Sequence, residues 1–111
     1  MVKLAKPSPR IEDGIIKWYA WDTFDLNFEF IFTDEDWNKI PEEETDCLEF
    51  TIYNQYYDVL YSTEVHQSHE VPVSIDEEMT QKFTRGNYYY IIRRIAGYIT
   101  TIIQENEIIV E

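Results

Sequence analysis

"WDTFDLNFEFIF", residues 21–32, alternates without a break: Phe24, Leu26, Phe28, Phe30 and Phe32 fall on one face, and Thr23, Asp25, Asn27, Glu29 and Ile31 on the other. Successive side chains of a strand point to opposite sides of the sheet, so period two marks a half-buried strand. Five large apolar groups in a row on one face need a second apolar layer to cover them. The rest of the chain supplies it. Leu48, Phe50 and Ile52 alternate with Cys47, Glu49, Thr51 and Tyr53, and the turn "NQYYD" leads to a strand over 59–66, which reads as a hairpin. Val71, Val73 and Ile75 mark a further short strand. In "DEEMTQKF", Asp76 is placed to cap a short helix that brings Met79 and Phe83 to one side at i, i+4.

"NYYYIIRRI" is apolar on both faces, as a central strand would be. "AG" at 96–97 then turns into "YITTII", and "QEN" is read as a turn into "EIIVE". With strands over 14–20 and 22–33 at the other end, the expectation is an all-β, antiparallel sandwich of seven or eight strands with one short crossover helix. In it, the 24–32 face meets a second sheet that contains the 87–95 strand. Between these strands, "DEDWNKIPEEETD" reads as an acidic loop broken at Pro41, with Trp37 and Ile40 pinning it to the body.

The chain has 111 residues, enough for one core, and its formal charge of −13 is unevenly placed. Lys3, Lys6 and Arg10 stand in the first ten positions with no acid, and residues 11–111 carry 22 acids against six bases, a net of −16. Pro7 and Pro9 disfavour helix there, so residues 1–10 read as a basic, extended arm ahead of a domain over 11–111. A body this acidic repels phosphate backbones, and no nucleic-acid partner is expected. Cys47 is the only cysteine, which excludes an intrachain disulfide, and no apolar run reaches the roughly 20 residues of a membrane-spanning helix. Synthesis in the cytoplasm without a signal peptide, and no membrane partner, are the corresponding expectations.

Sequence motifs for chemistry are sparse. His66 and His69 form an H-x-x-H in a strand end and its turn, where i and i+3 point to opposite faces, and Cys47 stands at no ligand-like spacing from them; no metal is expected. Asp34, Asp36 and Asn38 copy the first positions of a calcium loop, but Lys39 replaces its glycine and Thr45 its closing glutamate. No nucleophile elbow or phosphate-cradling loop occurs, so neither catalytic residues nor a cofactor is assigned. Arg93 and Arg94 are expected to pair with neighbouring carboxylates. Tyr53, Tyr56, Tyr57 and Tyr61 cluster around one hairpin, and amphipathic aromatics of this kind serve protein interfaces and sugar-stacking platforms alike, as well as ordinary edge packing.

In their order along the chain, "WDTFDLNFEF", "LEFTIYN", "FTRGNYYYII" and the closing "TTIIQENEIIVE", taken as a hairpin, resemble phage-encoded immunoglobulin-like modules. Such modules form the N-terminal domain of baseplate upper proteins and occur as small stand-alone virion proteins. The Gly86-x-Tyr88-x-Tyr90 string also looks like the stretch that bears a tyrosine corner, while the paired cysteines and core Trp of antibody domains are missing. The acidic loop stands where such modules often carry a loop glycine. The resemblance implies a non-enzymatic structural component of a bacteriophage virion, located in tail, baseplate, fibre or capsid, that contacts other virion proteins in symmetric copies. Val2, Lys3, Leu4, Lys6 and Arg10 of the arm would then be partner contacts, and Tyr53, Tyr56, Tyr57 and Tyr61 a surface contact. The alternative is a carbohydrate- or host-receptor-binding module that uses the tyrosine hairpin.

Overall fold

The computed structural model describes residues 8–111. Eight strands and one four-residue helix follow in the order β1 (Arg10–Glu12), β2 (Ile15–Trp18), β3 (Phe24–Glu29), β4 (Cys47–Tyr53), β5 (Val59–His66), β6 (Glu70–Ile75), α1 (Glu77–Thr80), β7 (Gly86–Ala96) and β8 (Ile99–Val110). They form two sheets in a sandwich-like arrangement, and the chain is all-β. One sheet has six strands in the order β1-β2-β8-β7-β4-β5; the other pairs β3 with β6.

The alternation that opens the sequence decides the packing. Phe24 and Phe28 of β3 and Val71, Val73 and Ile75 of β6 point down onto Leu48, Phe50 and Ile52 of β4 and Tyr90 and Ile92 of β7, all buried. Phe28 lies 5.5 Å from Phe50 and 5.9 Å from Tyr90, ring centre to ring centre, and Phe50 lies 5.8 Å from Tyr90. Such offset ring contacts add to the gain from buried area. β7 is the central strand its composition implies, hydrogen-bonded to β4 on one side and β8 on the other. The Asp76 carboxylate accepts from the Met79 N–H at 2.8 Å, so α1 has the expected cap, and Phe83 behind it is buried.

Several features depart from the sequence reading. The first strand is a hairpin, β1 and β2, around Asp13-Gly14, both with positive φ; Asp-Gly is a dipeptide that favours such two-residue turns. A Cβ on Gly14 would stand 2.6 Å from Asn106 Nδ2, which is a second reason for glycine there. β3 ends at Glu29 rather than at residue 33. "QEN" is not a turn: β8 runs through it with a bulge at Ile103, and the whole segment is the second arm of the β7–β8 hairpin. Gln104 and Asn106 are spent inside the sheet, donating to the Tyr90 hydroxyl at 2.8 Å and to the Asp13 carbonyl at 3.4 Å. β2 pairs with β8 in parallel, so the large sheet is mixed rather than wholly antiparallel. A core tryptophan is present, though on β2: Trp18 is fully buried between Phe24 and Phe83, and its indole N–H donates to the Asp22 carbonyl at 2.9 Å.

Phe28→Ala should cost about 3–5 kcal/mol of stability, whereas Asn27→Asp, on the outward face of the same strand, should stay within about 0.5 kcal/mol. Urea unfolding of both variants checks this; similar shifts would mean that the faces of β3 are assigned wrongly.

Candidate functional site

The two sheets are unequal, and that sets what the surface can do. β3 and β6 cover only one face of the six-stranded sheet, so the other face, carrying Tyr53, Tyr89, Ile91 and Arg93, has no second layer over it among the described residues. The loop between β4 and β5 curls over one end of this face. Asn54 organises it: its side-chain oxygen accepts from the N–H of Tyr56 at 2.8 Å and of Asp58 at 3.0 Å, and its amide donates to the Asp58 carboxylate at 3.0 Å. Tyr57, at φ 62°, is thereby placed over the sheet.

The four tyrosines of the hairpin do not act together. Tyr57 lies 6.4 Å from Tyr53 edge-on, and 6.4 Å from Tyr89 in a stacked pair tilted by 17°. Tyr56 points away, at the loop tip, toward the groove it shares with Thr84, Arg85 and Asn87. Tyr61 is opposite Ile52 on the inner side, packs against the core and donates to the Ser74 carbonyl at 3.5 Å. Period two separates it from Tyr53 across the strand pair. Tyr89, which the sequence reading left in the central strand, completes the platform, since the residues either side of a central-strand core position face outward. Beside Tyr57 and Tyr89 lies a groove of about 280 Å³ whose far wall is Glu105, Asn106 and Glu107. Arg93 sits 5.7 Å over the Tyr53 ring and pairs with Glu49 at 3.2 Å, the carboxylate partner expected of it. Arg94 instead donates to the Thr45 and Glu44 carbonyls and stands 5.4 Å over Phe32.

A second exposed feature lies along β8. Its partner β2 pairs with it only at Ile108, Ile109 and Val110, so the edge of β8 from Ile99 to Gln104 has no neighbouring strand on that side among the described residues. Tyr98, Ile99 and Ile102 are exposed there, Ile102 by 51%. Exposed edges are normally guarded by Lys, Pro or inward charges, and this stretch has none, although the bulge at Ile103 bends it.

Of the arm residues, Val2, Lys3, Leu4 and Lys6 lie outside the described residues. Arg10 is not a free arm residue but the first of β1, so the domain begins before residue 11. The Ser8 hydroxyl accepts from the Tyr19 N–H at 2.9 Å. The Arg10 guanidinium donates to Glu12 and to Glu111 at 3.0 Å each and lies over Tyr19, so a position expected to contact partners is committed within the fold. Lys17 reaches Glu12 at 2.8 Å from the paired strand.

His66 and His69 have separate surroundings, as their spacing implied. His69 meets Phe32 edge-on with its Nε2 buried and without a hydrogen-bond partner among the described residues. His66 lies 3.5 Å from the Glu64 carboxylate and is directly opposite Cys47 in the β4–β5 ladder. The acidic loop closes as a tight turn in which the Asp34 carboxylate accepts from the N–H of Asp36 and of Asn38, both at 2.9 Å. Trp37 does not pin this loop, being 83% exposed at φ 63°; the Ile40 N–H does, donating to the Phe32 carbonyl at 2.8 Å.

No family model matches the chain, and no curated protein or solved structure is found to be similar to it.

Hydrogen bonds from Lys17, and then from Arg10, hold the Glu12 carboxyl down to about 2, against 4.5 ordinarily. A carboxyl depressed by folding stabilises the fold above the unfolded value and stops doing so as pH falls through the folded one. The melting-temperature advantage of wild type over Glu12→Gln should therefore be level at neutral pH and shrink between pH 4.5 and about 2. An advantage unchanged by acid would mean that these bonds are not held in solution.

Proposed function

We propose that the chain is a non-enzymatic structural module that works through protein–protein contact, and that the assembly it joins is a bacteriophage particle. The observation that carries contact as its mode of action is the edge of β8: an open ladder of backbone donors and acceptors, flanked by exposed Tyr98, Ile99 and Ile102, fits an added strand from a neighbour. Main-chain pairing of this kind gives affinity without a pocket, and repetition around a symmetric assembly multiplies it.

The phage assignment rests on the resemblance of the sequence to phage-encoded immunoglobulin-like modules. It is supported by one detail of the fold. The Tyr88 hydroxyl donates to the Thr84 carbonyl at 2.8 Å, just after the turn that enters β7, and this bond back to the upstream backbone has the form of a tyrosine corner. The test is mass spectrometry of purified particles from cells supplying either wild type or Ile102→Lys, a charge on the open edge. Wild type should be present and the variant, folded by circular dichroism, depleted at least tenfold. Absence of wild type from particles would overturn the phage reading, and equal incorporation would overturn the edge.

A glycan-binding reading has its own support. Stacked, exposed tyrosines facing carboxylates across a groove offer a ring surface for a sugar face and acceptors for its hydroxyls. Glycan-array binding that is lost in Tyr57→Ala/Tyr89→Ala and retained in Ile102→Lys is the outcome expected of this reading, and an array on which wild type binds nothing removes it.

A further inference from the structure

We propose that Cys47, Glu64 and His66 form a binding site for a zinc-class divalent metal ion at the open end of the β4–β5 hairpin. The Cys47 sulfur, a Glu64 carboxylate oxygen and a His66 ring nitrogen all lie within 4.8 Å of one another. The sulfur is 3.5 Å from one Glu64 oxygen, and His66 Nε2 is 3.5 Å from the other. Ligands bound tetrahedrally at about 2.3 Å for sulfur and about 2.0–2.2 Å for nitrogen and oxygen stand roughly 3.5 Å apart, so the three side chains need little movement to share one ion.

The ladder register produces this convergence. Cys47 and His66 are cross-strand partners, and Glu64, two residues before His66 on the same strand, projects to the same face and reaches the pair diagonally. The cysteine and the histidine stand nineteen positions apart in the sequence, so no local spacing announces the set.

The donor chemistry selects the metal. A thiolate with an imidazole and one carboxylate suits zinc, cobalt or similar ions, whereas magnesium and calcium take all-oxygen shells. Three protein donors leave one position of a tetrahedron for water or an outside donor. Without an ion, burial, and then the hydrogen bond to the Glu64 carboxylate, push the Cys47 thiol above its ordinary value, so it is the thiolate that this neighbourhood disfavours. A divalent cation reverses the sign of that neighbourhood. Its binding must release the thiol proton, so affinity should fall as the medium is acidified. A bound ion would also clamp the hairpin at the end opposite its turn, where Cys47 and His66 are the last paired residues.

The experiment titrates the full chain, under reducing conditions, with Co²⁺ followed by thiolate-to-cobalt charge-transfer absorption, and separately with Zn²⁺ followed by melting temperature. Wild type should show the band saturating at one ion per chain and a rise in melting temperature with Zn²⁺ that Mg²⁺ does not give. Cys47→Ser should abolish the band. His66→Ala and Glu64→Gln, both at exposed positions that leave the core intact, should each weaken cobalt binding about tenfold or more, since losing even a supporting hydrogen bond costs a metal site that much. A wild-type chain that gives no band, or a band unchanged in both His66→Ala and Glu64→Gln, as a lone thiol would give, overturns the site.

Discussion

Tyr90 is the residue on which the two sheets and the chain's first hairpin jointly depend. Its ring lies in the stack with Phe28 and Phe50 that joins the layers, and a buried phenol must also satisfy its hydroxyl. It does so by donating to the Gly14 carbonyl at 2.6 Å while accepting from Gln104 at 2.8 Å. One side chain thus fixes the β1–β2 turn, the polar interior of β8 and the contact between sheets. Burial raises its ionisation above the ordinary phenol value, so the hydroxyl keeps the proton this arrangement requires.

That constraint explains why the large sheet grows sideways instead of being matched by a second sheet of equal size. β1 and β2 are held against the end of β8 by the Tyr90 bond, by the short parallel ladder, and by the Glu111 N–H and carbonyl, which bond the Trp18 carbonyl and the Ala20 N–H. β2 pairs with three residues of β8 and goes no further. The remainder of that strand is left open, and the small β3–β6 sheet reaches only the inner face. The exposed edge, the tyrosine platform and the Cys47 cluster all lie on surfaces that this asymmetry leaves uncovered. The proposed contact function and the proposed metal site follow from the same imbalance.

Part of the acidic charge is paired locally. Glu12 has two cationic partners, Arg93 neutralises Glu49, and Asp34 turns its charge toward backbone N–H groups. Exposed pairs of this kind contribute little each, typically about 0–1 kcal/mol, so the stability of the domain rests on the rings and aliphatics between the sheets.

The sequence by itself determined the strands that bury one face, because strict alternation has one reading once an apolar layer must be covered: β3, β4, β5, β6, the capped turn at Asp76 and the central position of β7 were all legible in it. It misjudged places where a polar residue serves the interior. Gln104 and Asn106 looked like a turn because their hydrogen-bond partners, Tyr90 and the Asp13 carbonyl, come from distant segments. Arg10 looked like part of a free arm because Glu111, one of its partners, lies at the other end of the chain. Only tertiary structure could decide which tyrosines share a surface, separating Tyr61 from Tyr57 and adding Tyr89, and only register could set His66 opposite Cys47. Period two fixes which side of its own strand a residue takes. Which residue of another strand stands beside it depends on pairing and on bulges such as those in β5 and β8, and these are properties of the assembled sheet.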